Sequence, residues 1–166
     1  MIVLIGPMGA GKTTIARLVA ERLGMTVRDT DHDVEAAEGR PISEIFVDSG
    51  EAAFRELERT AVAAALSTHE GVLAVGGGAV LDPATRDLLA GHDVVFLRVG
   101  LSESVKRVGL GTSRPLLLGN VRGRIKALLD ERTPIYESVA TLAVETDGRA
   151  PDEIADEIVT ALAATA

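Results

Sequence analysis

Four short apolar runs punctuate the chain: Ile2-Val3-Leu4-Ile5, Val72-Leu73-Ala74-Val75, Val94-Val95-Phe96-Leu97 and the weaker Leu142-Ala143-Val144. None shows the polar alternation of a half-exposed strand, so each predicts a parallel strand covered on both faces. Thr26-Val27-Arg28-Asp29 predicts a further strand from its place between helical segments. Between the runs the period lengthens. Ile15, Leu18, Val19 and Leu23 share one face of a helix over residues 13–23. Asp82-Pro83 supplies an N-cap and a first-turn proline for a helix ending near Ala90. Ala150-Pro151 opens the last helix, in which Ile154, Ile158 and Leu162 recur every four residues. Strand and helix in alternation predict an open parallel α/β sheet with right-handed crossovers. Residues 30–70 hold about three helical pieces between consecutive strands, more than a crossover requires. Residues 109–121, with Gly109, Gly111, Pro115 and Gly119 and no amphipathic period, read as a mobile loop.

Composition narrows the classes. A chain of 166 residues with 46% hydrophobic and 25% charged side chains is one packed domain and not a disordered segment. Phe46, Phe54, Phe96 and Tyr136 are its only aromatics, which leaves no stacking platform for nucleic acid. The net charge of −8 repels nucleic acid and anionic lipid, so an anionic ligand must meet a local concentration of the few cations. With no cysteine, disulfides, thiolate zinc sites and thiol catalysis are excluded. The opening run is too short for a signal-peptide core or a membrane span, and a cytoplasmic protein is expected.

Gly6-Pro7-Met8-Gly9-Ala10-Gly11-Lys12-Thr13 matches the P-loop pattern G-x-x-x-x-G-K-[ST] directly after an apolar strand and at the start of a helix. The glycines let successive backbone N–H groups point at phosphate oxygens, and the helix adds its positive dipole end. Lys12 is placed to bridge the outer phosphates and the Thr13 hydroxyl to ligate Mg²⁺. The alternative is a glycine-rich turn that only joins a strand to a helix. The chain has no base-reading Asn-Lys-x-Asp run of a switch GTPase, and its inserted helices suggest phosphoryl transfer to a small molecule.

Three further groups bear on the acceptor. Asp29-Thr30-Asp31 lies at the carboxyl end of the second strand, the edge where open parallel sheets bind ligands. One carboxylate there can organise hydrated Mg²⁺ and the other can accept a hydroxyl proton; equally, either can cap the next helix. Arg55 and Glu58 stand three apart on a helix, the ordinary arrangement of a solvent-facing ion pair. Gly76-Gly77-Gly78 follows a strand and lets a backbone approach a ligand closely, although a plain loop is the other reading.

With these residues in hand, the chain resembles the shikimate kinase family. The resemblance rests on GPMGAGKTT, Asp29-Thr30-Asp31, Phe54-Arg55, Gly76-Gly77-Gly78-Ala79-Val80, Thr112-Ser113-Arg114-Pro115-Leu116-Leu117 and Arg132-Thr133-Pro134-Ile135-Tyr136, in family order over nearly the whole chain. Thr13 stands where serine is commoner, preserving the hydroxyl. The resemblance implies a single P-loop kinase domain over residues 1–166 of nucleoside-monophosphate-kinase type. Its implied sheet has five parallel strands in the order 2-3-1-4-5, with a substrate-binding helical insertion at about 30–62 and a lid at about 109–121. It implies transfer of the ATP γ-phosphoryl group to the 3-hydroxyl of shikimate, on the route to chorismate and the aromatic amino acids, with Mg²⁺ as cofactor.

Residue by residue, the resemblance places ATP on Gly9, Ala10, Gly11, Lys12, Thr13, Thr14, Arg107, Arg114 and Arg149. It places shikimate on Asp31, Arg55, Gly76, Gly77, Gly78 and Arg132, and the metal on Thr13 and, through water, Asp29. Lys12, Asp31 and Arg114 are the implied catalytic residues. Shikimate and ATP are the expected partners, with no nucleic acid or membrane, and a monomer is expected. Another small-molecule kinase of the same architecture, such as gluconate or nucleoside-monophosphate kinase, is the near alternative. A non-catalytic nucleotide-binding regulator is the distant one.

Overall fold

The computed structural model describes residues 1–109 and 120–166. Its strands are β1 (Ile2–Ile5), β2 (Val27–Asp29), β3 (Val72–Ala74), β4 (Asp93–Arg98) and β5 (Leu142–Glu145). They form one sheet in the order β2-β3-β1-β4-β5, all neighbours parallel, with Val3 in register with Leu73 on one side and Val94 on the other. This is the order that the family resemblance implies.

Seven helices cover the sheet among the described residues: α1 (Lys12–Leu23), α2 (Thr30–Glu38), α3 (Ile42–Thr68), α4 (Pro83–Leu89), α5 (Leu101–Gly109), α6 (Val121–Val139) and α7 (Pro151–Thr165). The period-2 pleat divides the core into two layers. Ile2 and Leu4 of β1 face Ile15 and Val19 of α1 and Ile154 and Ile158 of α7. Val3 and Ile5 face the opposite layer, with Val62 of α3 and Tyr136 of α6. The central runs are therefore covered twice, as their unbroken apolarity predicts. β5 is not: Val144 is buried while Ala143 and Glu145 are exposed, because an edge strand has helix cover on one face only.

α3 is two helices joined at Gly50, whose φ of 85° and ψ of 170° are non-helical. With α2, residues 30–70 thus hold three helical pieces between β2 and β3. At the two ends of the expected loop over 109–121 the described residues 109 and 121 are helical. Gly109 closes α5, and Val121 opens α6 behind Asn120, whose side chain accepts from the Gly123 N–H at 3.0 Å. Arg114, with the rest of Thr112 to Leu117, lies outside the described residues.

Candidate active site

The site grows from the carboxyl ends of β1, β2 and β3, where chain after chain segment leaves the sheet. Gly6 leaves β1 with its α-carbon against β4; a Cβ there would lie 2.7 Å from the Leu97 carbonyl oxygen. Gly11 takes a left-handed conformation (φ 88°) as the N-cap of α1 and offers no side-chain cap, so the first-turn N–H groups remain open to a ligand. Lys12 lies back along the loop and donates to the carbonyl oxygens of Gly6 at 2.7 Å and Pro7 at 3.0 Å. Ala10 is buried in the core and its N–H bonds the Pro7 carbonyl, so this residue contributes the shape of the loop and not a cleft-facing group.

Thr13 donates its hydroxyl to Asp29 Oδ2 at 2.7 Å. The other oxygen, Asp29 Oδ1, accepts from the Asp31 N–H at 2.9 Å and caps α2. The cap reading of this carboxylate is thus met by Oδ1, while Oδ2 meets the Thr13 hydroxyl. Asp31 lines the same cleft. Burial, then repulsion from Asp29, pushes its carboxyl from an ordinary 3.8 up to about 6, with Lys12 opposing and Glu58 and Glu35 adding to the rise.

On the far wall, α3 contributes Phe54, Arg55 and Glu58. Arg55 Nη1 meets Glu58 Oε1 at 2.7 Å. The expected solvent-facing pair is corrected here, since Glu58 is only 4% exposed. Burial raises its pKa, against the opposing pull of Arg55. Phe46 stacks on Phe54 across the Gly50 kink, ring centroids 4.8 Å apart, and gives the cleft an apolar side. Arg132 enters from α6, 5% exposed and without an ion-pair partner among the described residues. The Nε atoms of both Arg55 and Arg132 are buried and unpartnered.

Gly76, Gly77 and Gly78 close the cleft between these groups. A Cβ on Gly76 would lie 2.5 Å from Glu58 Oε2 and 2.9 Å from Asp31 Oδ1, and one on Gly78 2.5 Å from both terminal nitrogens of Arg55. The glycines are needed because charged side chains already occupy the space. The cleft is open to solvent, with a volume of about 510 Å³, and its lining runs from Lys12 and Thr13 of the P-loop to Phe46.

Of the cations that the resemblance assigns to ATP and shikimate, Lys12, Arg55 and Arg132 line this cleft. Arg107 sits behind the P-loop, donating to the Gly9 carbonyl at 3.1 Å, to Thr146 and to Glu103. Arg149 pairs with Glu157 at 2.6 Å and bonds the Glu145 carbonyl. Thr14 and Gly9 line the P-loop end.

A family model described as shikimate kinase matches residues 8–163. The chain belongs to the shikimate kinase family. It is 59% identical over 162 residues to a shikimate kinase of Salinispora arenicola, covering 98% of this chain and 97% of that protein. Among solved structures it superposes on a shikimate kinase from Acinetobacter baumannii in complex with shikimate, with a TM-score of 0.95, 36% identity and coverage of 99% and 93%. A gluconokinase from Sinorhizobium meliloti shares the fold at a TM-score of 0.64 and 22% identity, covering 99% and 92%. Sequence reasoning assigned no role to Tyr136, one helical turn beyond Arg132, or to Glu58, whose burial no local pattern betrays.

Proposed function

We infer that this cleft transfers the terminal phosphoryl group of ATP to the 3-hydroxyl of shikimate. The observation that carries the reading is a pair of arginines lining the cleft with Asp31 and the P-loop, half-buried Arg55 and buried Arg132, each with a buried, unpartnered Nε. A planar guanidinium grips a carboxylate in bidentate fashion, which favours an acid over a neutral polyol. Asp31 then bonds the ring hydroxyls, aligns the 3-hydroxyl and accepts its proton as transfer proceeds. Phosphoryl transfer is largely dissociative, so alignment and charge neutralisation count for more than a strong base.

Gly9, Gly11, Lys12, Thr13 and Thr14 receive the ATP phosphates, Ala10 shapes their loop, and Arg107, Arg114 and Arg149 complete the nucleotide site as the family likeness implies. The Thr13 hydroxyl and the Asp29 carboxylate, already 2.7 Å apart, suit Mg²⁺, which keeps waters and phosphate oxygens and needs few protein ligands. No group of three or more acidic or histidine ligands occurs among the described residues, so a dedicated protein cage is not the design. When bound, the ion neutralises charge on the phosphates. The family likeness implies the helical region over about 30–62 as the substrate side and the segment over about 109–121 as the lid. No helix among the described residues is long and apolar enough to cross a membrane.

An ADP-release assay with shikimate, quinate, gluconate and AMP offered separately tests this reading. Turnover with shikimate far above the rest is expected; preference for gluconate or AMP overturns it.

A further inference from the structure

We propose that Tyr136 is a positioning residue for the acid group of shikimate: its hydroxyl fixes the Gly77–Gly78 peptide so that the Gly78 N–H faces the cleft beside Arg55. This rests on the carboxylate clamp inferred above.

Tyr136 is fully buried, its ring 5.0 Å from that of Phe96, and its hydroxyl donates to the Gly77 carbonyl oxygen at 2.5 Å. In a trans peptide the carbonyl oxygen and the following N–H point to opposite sides, and no cis bond occurs among the described residues. Anchoring Gly77 O to the core therefore turns Gly78 N–H the other way, toward the open side of the loop. Gly78 borders the cleft against the Arg55 guanidinium, and its N–H donates to no described residue. A carboxylate held by Arg55 thus meets a backbone donor as well. Without a tether, a run of three glycines can rotate this peptide at little steric cost.

The geometry of α6 makes the arrangement one unit. Arg132 and Tyr136 are four residues apart on one face. Gly77 lies between them and the P-loop: a Cβ on it would sit 3.4 Å from Gly6 O and 3.6 Å from Arg132 Nη1. Burial pushes the phenol up to about 12, so it remains a donor throughout the pH range of activity.

The test compares Tyr136→Phe with the parent on shikimate and on its analogue bearing a hydroxymethyl group in place of the carboxylate. Loss of one neutral hydrogen bond is expected to raise the KM for shikimate about three- to tenfold, with the KM for ATP within about twofold and no effect on the alcohol. An equal effect on acid and alcohol, a parallel rise for ATP, or no effect overturns the proposal. If the parent itself does not distinguish acid from alcohol, the clamp is wrong and the proposal falls with it. If the parent discriminates and the variant discriminates equally, only the Tyr136 assignment fails. Should Tyr136→Phe not fold, the native chain still decides, because Tyr136 is its sole tyrosine and gives one ¹⁹F resonance after 3-fluorotyrosine labelling. That resonance should move with shikimate and not with the alcohol; indifference to shikimate overturns the assignment.

Discussion

Asp29 divides its two oxygens between tasks, accepting the Thr13 hydroxyl at 2.7 Å through Oδ2 and the Asp31 N–H at 2.9 Å through Oδ1. The first contact joins α1 to β2 at the phosphate end of the cleft. The second starts α2, so the residue that follows the cap by two, Asp31, is oriented by the same carboxylate.

That division predicts separable effects. Asn caps a helix about as well as Asp, so Asp29→Asn should change stability by less than about 0.5 kcal/mol. Its weaker oxygen should nonetheless raise the Mg²⁺ concentration for half-maximal turnover by tenfold or more, on the order of a lost charge-assisted contact. Urea titration and a Mg²⁺ titration of activity check the two halves. An unchanged metal requirement would sink the assignment of Oδ2.

Asp31 carries a cost that function requires. Its folded pKa, about 6, lies above the ordinary 3.8, so the folded chain binds the proton more tightly than the unfolded one. Stability therefore falls as pH rises between those values, and the penalty is full above them. Asp31→Asn should unfold at higher temperature than the parent at pH 7.5, by a margin on the order of 2 kcal/mol, while turnover is lost. At pH 4 the advantage should vanish. Melting curves at both pH values decide; equal midpoints at pH 7.5 contradict the burial argument.

Arg132 is a buried cation that makes no ion pair among the described residues and feels the charge of Glu58, which Arg55 already engages, the arrangement expected of a group that receives an anion. Arg132→Met should raise the KM for shikimate by roughly ten- to a hundredfold, the range of a charge-assisted bond, with little change for ATP. The variant should also be no less stable than the parent, since a desolvated charge is removed. Steady-state kinetics with each substrate varied, together with denaturation, test both statements. A fall in stability with equal effects on both substrates would show Arg132 to be structural.

What was legible in the sequence was whatever is encoded locally. The P-loop, the helix starts at Asp82 and Ala150-Pro151 and the doubly covered strands β1, β3 and β4 are patterns within a dozen residues and are present, whereas the run of β5 is covered on one face only. Glu58 was opaque because i,i+3 spacing to Arg55 is the same for a solvated and a buried pair; only the packing of α3 on the glycine triplet separates them. Gly109 and Val121 were misread for the opposite reason. Glycine breaks helices in their interiors, yet α5 ends on Gly109 and α6 begins two residues before Gly123, whose N–H donates to the Oδ1 of the Asn120 cap. Arg107 and Arg149 could not be placed at all from spacing, because their partners Gly9 and Glu157 belong to other elements.

Gly50 provides the last prediction. Its φ of 85° with ψ of 170° lies in a region essentially reserved for glycine, and nothing lies within 4 Å of where a Cβ would project. A substitution there meets backbone strain and no clash, which isolates the conformational term. Gly50→Ala should lose about 1–3 kcal/mol of stability if the kink is kept. If instead the strain is relieved by straightening α3, Phe46 leaves its stack on Phe54 and the apolar side of the cleft opens. The KM for shikimate then rises while stability is largely retained. Denaturation and kinetics on the same preparation distinguish these outcomes, and a variant unaffected in both would show that the kink is not required by the packing of Phe46 on Phe54.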